Sequence, residues 1–398
     1  VPTASDDVTI NNGINVTVNA AAYCNTLTTA NSGTLTISGT NTLTVTGLIN
    51  MFRPSANNTS FTIAVGTGSL VAGALTMNAT TTTRNNIITI STGTVTINGT
   101  VTTGTTGCQF VFTGNGLLKF GGSFSGGPAS LTAANGTIEY TGTAPVIQAF
   151  TGNYYNLVYS GNGTTANPSG NLNIQGNLLN TGGGTLNFYA RNVSLSGTTV
   201  SNTIDGFTTT GTVTMSKTAG TATFTGNVNA SVLTINGSGG TLNLGTGLTH
   251  TVTGNWTRTN GTLDGGSSLL KIAGSVSGTG GSFAANTGTI EWNAAGAQNL
   301  AAVAYNNLIL SGGGAKTMPA GTAITNNLLI NGPTASIAAG QNFSVGSLTL
   351  GGYNKINGTW GSTSSAATYK DNTYFATTTG ILTVANDTRS TTPDFSGL

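Results

Sequence analysis

The sequence predicts an all-β fold, a parallel β-solenoid with coils of about 20 residues. Three observations lead to it: apolar residues alternate with Thr, Asn or Ser in short bursts, turn residues separate the bursts, and a long block is repeated. The chain has 398 residues, of which 60 are glycine and only 5% are charged, with a net charge of +2. Ordinary globular domains contain about 25% charged residues, so this composition is not that of an ordinary cytosolic enzyme.

The strands are predicted from segments such as Thr34–Ile37, Val95–Ile97 and Leu348–Leu350, where every second side chain is apolar. This period of two is typical of half-buried strands. Asn-Gly, Ser-Gly, Thr-Gly and Gly-Gly steps lie between the bursts and supply the positive φ angles that tight turns need. No window of eleven or more residues has helical spacing. The chain is therefore predicted to consist of strands and turns.

The strongest internal repeat relates residues 116–140 to residues 268–292, which lie 152 residues further on. The two segments share 13 identities over 25 residues without a gap. Repeated blocks of this kind are typical of arrays that bury a continuous core by stacking. The repeat therefore favours a solenoid over a string of separate sandwiches.

The coil length is predicted from charged pairs inside the repeat. Lys119 and Glu139 are 20 residues apart, as are Lys271 and Glu291, and their neighbours match in kind. A coil of about 20 residues stacks each pair at a strand spacing of about 4.8 Å. We therefore expect two stacked Lys–Glu ion pairs, and coils of roughly 18 to 24 residues that give roughly 16 to 22 turns.

The predicted organisation has four parts, with internal repeats near 116–180 and 268–331. Solenoid ends expose unpaired backbone and need covering, and the last segment loses its alternation. We expect this last segment to engage a neighbouring subunit. The parts are an N-terminal cap with the first strands (1–30), the β-solenoid (31–352), C-terminal strands or a cap (353–384) and a tail (385–398).

Several motifs carry a resemblance to a known group of proteins: Pro2–Ile10, Tyr305–Gly312, Gly358–Ser362 and Asn372–Phe375. With them the chain resembles the large secreted β-repeat proteins of Bacteroidota and similar bacteria. These are adhesin-like surface proteins, often exported by the type IX route. The resemblance implies a right-handed parallel β-helix outside the cell.

The pattern of charged residues and the length of the apolar runs limit the partners and the location that can be expected. Lys and Arg are scattered singly, without the basic stripe of a nucleic-acid-binding protein. The longest apolar runs are about four residues, against the roughly 20 needed for a membrane span. The chain starts at Val1 without a basic-then-apolar leader. We read this as removal of a signal peptide or as a piece of a longer protein, and expect an extracellular or cell-surface location.

Candidate catalytic groups are few. Polysaccharide-degrading β-helix enzymes need clustered acids with nearby basic residues. Only two acids here are adjacent, and alternation points them to opposite faces of a strand. The single His250 has no second His, Cys or carboxylate near it in sequence. We therefore expect no enzyme activity, cofactor or metal. The nine acids are Asp6, Asp7, Glu139, Asp205, Asp264, Glu291, Asp371, Asp387 and Asp394.

Cys24 and Cys108 are the only cysteines. An even number in a secreted chain favours a disulfide. However, 84 residues at about 20 per coil separate them by about four coils, or roughly 19 Å, whereas disulfides need Cα atoms within about 7 Å. Three arrangements remain open: an intrachain bond with the N-terminal part folded back, a bond between subunits, or two free buried thiols.

The leading functional hypothesis is a non-catalytic structural subunit of an extracellular filament, sheath or adhesive stalk that assembles with copies of itself. The alternative is a monomeric adhesin that binds surface glycans, and a second alternative is a polysaccharide-degrading enzyme. Aromatic rings can stack on sugars, although scattered aromatics are more often core residues. Candidates for stacking are Tyr154, Tyr155, Trp256, Trp292 and Trp360.

Overall fold

The computed structural model of the protein describes residues 2–389. It confirms the predicted fold class: these residues contain no helix, and parallel strands stack in coils about 21 residues apart. The coils form a β-solenoid of about 16 turns. Among the described residues, no helix is long and apolar enough to cross a membrane. The chain divides into two compact units, Val1–Thr208 and Thr209–Leu398.

The first unit contains strands β1 to β22, most of them three to five residues long. They are β1 Asp7–Ile10, β2 Ile14–Val18, β3 Ala22–Cys24, β4 Thr26–Thr29, β5 Gly33–Ile37, β6 Thr42–Met51, β7 Thr59–Val65, β8 Ser69–Met77, β9 Arg84–Ile90, β10 Thr94–Ile97, β11 Val101–Thr103, β12 Cys108–Phe112, β13 Leu117–Phe120, β14 Phe124–Gly126, β15 Ser130–Thr132, β16 Thr137–Tyr140, β17 Asn156–Tyr159, β18 Leu172–Ile174, β19 Leu178–Asn180, β20 Val193–Leu195, β21 Ser201–Ile204 and β22 Phe207–Thr208.

Three parallel faces enclose the core of the first coils. One face stacks β2, β5, β7, β9, β12 and β15. A second begins with β1, β4 and the end of β6, and a third begins with β3 and the start of β6. The long strands β6 and β8 turn a corner and so belong to both of these faces. Each of these coils therefore contributes one strand segment to each face.

The core of the first unit consists of columns of apolar side chains. Val95, Leu118, Ile138 and Leu157 occupy matching inward positions on β10, β13, β16 and β17, and each is at most 2% exposed. The residues between them point outward, which is why these strands alternate between buried and half-buried positions. Removing each such Leu or Ile from water stabilises the fold by about 1.5–3 kcal/mol.

Coil length varies where the chain makes a longer loop. Gly33 pairs with Phe61, 28 residues further on, whereas Thr137 pairs with Asn156, only 19 further on. The extra residues include Phe52–Asn58, which lie outside the strands between β6 and β7. Because the loop projects from the coil, the strand register above and below it is kept.

The second unit contains strands β23 to β45. They are β23 Thr212–Met215, β24 Thr221–Phe224, β25 Val228–Ala230, β26 Val232–Asn243, β27 Thr249–Val252, β28 Trp256–Asp264, β29 Leu269–Ile272, β30 Val276–Ser277, β31 Ser282–Ala284, β32 Thr289–Trp292, β33 Gln298–Asn299, β34 Ala304–Tyr305, β35 Asn307–Leu310, β36 Ala315–Met318, β37 Ala323–Ile324, β38 Asn327–Ile330, β39 Thr334–Ile337, β40 Asn342–Val345, β41 Ser347–Leu350, β42 Tyr353–Asn354, β43 Gly358–Gly361, β44 Tyr369–Lys370 and β45 Ile381–Val384.

The longest face of the second unit stacks β25, β27, β29, β32, β35, β38 and β41 in parallel. Antiparallel strand pairs lie towards the end of the described chain, where β42 pairs with β41 and β43 pairs with β45. Residues 353–384, predicted as C-terminal strands or a cap, contain β42, β43, β44 and β45. The last nine residues of the predicted tail, 390–398, lie outside the described residues.

Stacked glycines form one corner of the first unit. The amide nitrogen of Gly99 donates to the carbonyl of Gly73 in the preceding coil at 2.7 Å. A Cβ atom on Gly99 would lie 2.5 Å from that oxygen, closer than a side chain can approach a backbone carbonyl. Gly122, one coil later, meets the backbone of Gly99 in the same way. The corner therefore needs glycine because the backbones of successive coils come into contact.

We predict that Gly99→Ala destabilises the first unit by about 1–3 kcal/mol, because the added methyl group forces the coils apart. Gly66→Ala is the matched control, since its Cβ would meet only the Ile37 carbonyl at 3.5 Å, an ordinary contact distance. Urea denaturation followed by circular dichroism measures both. Equal midpoints for the two variants would contradict the close packing of this corner.

Candidate functional site

Lys119, Glu139 and Ser160 come from three successive coils and meet at the surface of the first unit. Lys119 on β13 lies opposite Glu139 on β16, and Ser160 directly follows β17. The Nζ atom of Lys119 is 2.9 Å from Oε2 of Glu139. The Oγ atom of Ser160 donates a hydrogen bond of 2.5 Å to Oε1 of the same carboxylate. One carboxylate therefore links the coil before it to the coil after it.

The second unit contains the same arrangement. Lys271 on β29 lies opposite Glu291 on β32, with 3.4 Å between Nζ and Oε2. Ser311, directly after β35, donates a hydrogen bond of 2.6 Å to Oε1 of Glu291. We call these two triplets the Lys–Glu–Ser clusters. The structure thus brings together both charged pairs singled out by the sequence.

The clusters are partly shielded from solvent. The lysine side chains are 33% and 36% exposed, whereas both glutamate side chains are 15% exposed. Partly exposed ion pairs are screened by water and salt and contribute about 0–1 kcal/mol. Each carboxylate is shared by an ammonium and a hydroxyl group, which offset the cost of partial burial. This geometry ties coils together.

The serines of the clusters were missed by the sequence reasoning. The repeated blocks around Ser160 and Ser311 are visible in sequence, and each serine follows its glutamate by about one coil. That spacing was the available signal. The hydroxyl group could not be assigned to the carboxylate without knowing that the strand after the glutamate is its next neighbour.

Asp6 and Asp7 hold the N-terminal turn in different ways. The backbone amide and the hydroxyl group of Thr3 both donate to Asp6, and these bonds lower the pKa of its carboxyl group. Thr26 and Asn25, in the next coil, donate to Asp7 and likewise lower its pKa. The two carboxylates therefore have separate partners and serve a turn and a coil contact.

The remaining described carboxylates accept hydrogen bonds from groups near them in the chain or in a neighbouring coil. The side chain of Arg389 donates to Asp387 and lowers the pKa of that carboxyl group to about 2. Within residues 2–389, no group of three or more His, Cys, Asp or Glu side chains could hold a metal ion. Asp394 lies outside the described residues. These carboxylates are Asp205, Asp264, Asp371 and Asp387.

His250 is an inward-facing core residue of the second unit. It is 2% exposed, and its ring lies 5.1 Å from the ring of Phe224. The amide of Val228 donates to Nδ1 at 3.1 Å, and Nε2 lies 2.8 Å from the carbonyl of Leu244. This pattern fits the neutral ring with its proton on Nε2. Burial lowers the pKa of His250, opposed by the hydrogen bond to Leu244.

Cys24 and Cys108 are both buried, and both thiols are free in the structure. This is the third of the three arrangements left open by the sequence. The Sγ atom of Cys108 lies 3.3 Å from the carbonyl of Met77. Burial raises the pKa of both thiols, which keeps them protonated and weakly reactive.

The five aromatic residues considered for sugar stacking lie in different environments. Trp256 and Trp292 are fully buried with ring centroids 6.4 Å apart, and Tyr154 is 2% exposed. These three residues cannot stack on a sugar, because their ring faces are buried. Tyr155 and Trp360 are half-buried and keep part of their surface exposed.

An apolar cavity of about 400 Å³ opens at the first coil. Val8, Ile10, Ile14, Val16 and Tyr23 are among the side chains around it, and Ile14 and Tyr23 are each 49% exposed. Within residues 2–389, strands β1, β2 and β3 each pair with a strand on one side. The other edges of these strands therefore present backbone donors and acceptors that are not used in a described ladder.

Comparison of the chain with protein-family models, with curated proteins and with solved structures gives no match. The class of protein therefore follows from its own fold: it is a β-solenoid repeat protein.

We predict that a double-mutant cycle on Lys119→Gln and Glu139→Gln gives a coupling free energy of at most about 1 kcal/mol, which decreases as salt is added. The matched cycle on Lys271→Gln and Glu291→Gln should give a smaller value, because its two charged atoms are 3.4 Å rather than 2.9 Å apart. Urea denaturation provides the free energies. A coupling of several kcal/mol that is independent of salt would contradict this description.

We also predict that acid destabilises the second unit through His250. Its folded-state pKa lies below the usual value. The unfolded chain therefore binds a proton first as the pH falls below about 6.5, and stability decreases by up to about 1.4 kcal/mol per pH unit until the folded pKa is passed. His250→Gln should flatten the dependence of melting temperature on pH between about pH 7 and pH 5. An unchanged slope in the variant would show that another group is responsible.

Proposed function

We propose that the chain is a non-catalytic structural subunit of an extracellular filament, sheath or adhesive stalk. Its partner in this proposal is another copy of itself, bound through the solenoid ends, the C-terminal tail or both. The proposal places it among adhesin-like surface proteins of the kind that its motifs resemble, at the cell surface after removal of a signal peptide.

The coil-to-coil pairing is the observation that carries the proposal. Successive coils pair through parallel strands in both units, and each unit contains one Lys–Glu–Ser cluster. The edge of such a strand is a template on which a further strand can be added. Stacking of one molecule on another would continue the same ladder, and a head-to-tail contact of this kind need not close.

Within the described residues, the first coil has unpaired strand edges and exposed apolar side chains, both of which favour such a contact. Its strands present unused edges next to the apolar cavity, where Ile14 and Tyr23 are half exposed. Covering those side chains would remove apolar surface from water at about 25 cal/mol per Å². With only 5% charged residues, the chain offers little electrostatic repulsion against such association.

We expect the purified protein to form filaments, visible by negative-stain electron microscopy, that grow longer with protein concentration. Ile14→Asp and Tyr23→Asp should shift it towards monomers, because each puts a charge on the proposed contact. Val200→Asp is the matched control, since Val200 is 83% exposed but lies away from the first coil in sequence.

Monomers alone at high concentration would overturn the proposal and favour a monomeric stalk. An effect of Val200→Asp as large as that of the first-coil variants would show that added charge in general, and not the first coil, controls assembly.

A further inference from the structure

Three aromatic rings and one lysine come together towards the end of the second unit. We call Tyr353, Lys355, Trp360 and Tyr369 the ring–lysine cluster. Tyr353 is 75% exposed, and the other three members are half-buried. Tyr353 is more exposed than the other exposed aromatic side chains of the described residues, Tyr23, Phe52 and Tyr189. Tyrosine and tryptophan are enriched at binding surfaces, because their rings offer both an apolar face and a polar group.

Backbone pairing holds the members of the cluster in place. Tyr353 lies opposite Leu350 in the antiparallel pair of β41 and β42, and the amide of Lys355 donates to the carbonyl of Leu348 at 2.9 Å. Trp360 and Tyr369 are directly paired on β43 and β44. The ring positions are therefore set by strand register.

The rings and the ammonium group form an open stack. Trp360 and Tyr369 are stacked, with ring centroids 4.8 Å apart and an angle of 29° between their planes. The Nζ atom of Lys355 is 6.0 Å from the centroid of Tyr353 and 6.0 Å from that of Trp360. Lys355 thus lies within cation–π range of both rings.

Within the part of the chain that the structure describes, the Lys355 ammonium group has hydrogen-bond donors that no side chain or backbone group accepts. Among residues 2–389, it forms no salt bridge and donates no side-chain hydrogen bond, in contrast to Lys119, Lys271 and Arg389, which each pair with a carboxylate. An ammonium group carries three donors, and a bound carboxylate would give it a charge-assisted partner. The cluster therefore combines an exposed ring face with an ammonium group that has no carboxylate partner among residues 2–389.

We infer that the ring–lysine cluster is a binding site for an acidic polysaccharide. The C–H face of a uronic acid ring lies on Tyr353, and its carboxylate accepts hydrogen bonds from Lys355. A polysaccharide fits better than an acidic peptide, because β42 has only two residues and offers too little backbone for strand addition. This inference goes beyond the proposed function, since a filament subunit needs no ligand of this kind.

The test is titration of the protein with polygalacturonate in the presence of EDTA, followed by calorimetry and by tryptophan fluorescence. Trp256 and Trp292 are fully buried, so a change in fluorescence reports chiefly on Trp360. Fully methyl-esterified polygalacturonate is the matched ligand, with the same sugar faces and no charge. We expect binding of the acidic polymer alone, weakened as salt is raised from about 20 mM to about 500 mM.

Two variants separate the parts of the site. Lys355→Gln removes the charge at similar size and should weaken binding by at least about tenfold, and Tyr353→Ala removes the ring face and should weaken it by at least about fivefold. Arg53→Gln and Phe52→Ala are matched controls from the first unit, where both residues are exposed, and should bind as the unaltered protein does.

Three outcomes would overturn the inference: no binding of polygalacturonate, equal binding of its methyl ester, or equal binding by the Lys355→Gln variant. Loss in Lys355→Gln but not in Tyr353→Ala, or equally tight binding of polyglutamate, would show a site for anions in general and would also reject it. The titration uses monodisperse protein, so its result does not depend on whether filaments form.

Discussion

Parallel backbone pairing between successive coils is the constraint on which the rest of this molecule depends. It places each strand residue next to a residue about one coil away, so the side chains of the strands form columns. Inward columns such as Val95, Leu118, Ile138 and Leu157 become a continuous apolar core. Outward columns become rows of Thr, Asn and occasional charges. Stability is then a sum of many similar neighbour contacts, which a chain with so few charges and so much glycine can supply.

The same constraint explains how a repetitive chain accommodates irregular pieces. A longer coil, such as the one that joins Gly33 to Phe61, places its extra residues in a loop outside the ladder. A corner such as Gly73, Gly99 and Gly122 leaves no room for side chains, because backbone lies directly on backbone. Polar groups inside the coil need fixed partners, as His250 has in Val228 and Leu244. Changes in sequence and in coil length are therefore tolerated in loops and restricted at corners and in the core.

The role of a charged residue depends on which residues occupy the neighbouring positions in adjacent coils. In the two Lys–Glu–Ser clusters, opposite charges occupy adjacent coils and neutralise each other, with a hydroxyl group from the next coil completing the contact. Lys355 differs, because its neighbours within the described chain are aromatic faces rather than a carboxylate. Lys119 and Lys271 thus link adjacent coils, whereas Lys355 lies between aromatic rings, which is the basis of the proposed binding site. The first-coil contact of the proposed assembly and the proposed binding site involve different residues.

The sequence by itself determined the all-β class, the coil length and the stacking of Lys119 on Glu139, because a period of two and a fixed repeat are properties of one strand and its nearest copy. Trp360 was one of five aromatic residues considered for sugar stacking, but the sequence could not show that Trp256 and Trp292 are buried whereas Trp360 is partly exposed. Only the tertiary structure decided that Ser160 completes the first cluster, that Cys24 and Cys108 are free, and that Tyr353 and Lys355 meet Trp360. The contact of Tyr353 and Lys355 with Trp360 depends on how the antiparallel strands β42 and β43 return to the solenoid, and neither alternation nor repeat length encodes that path.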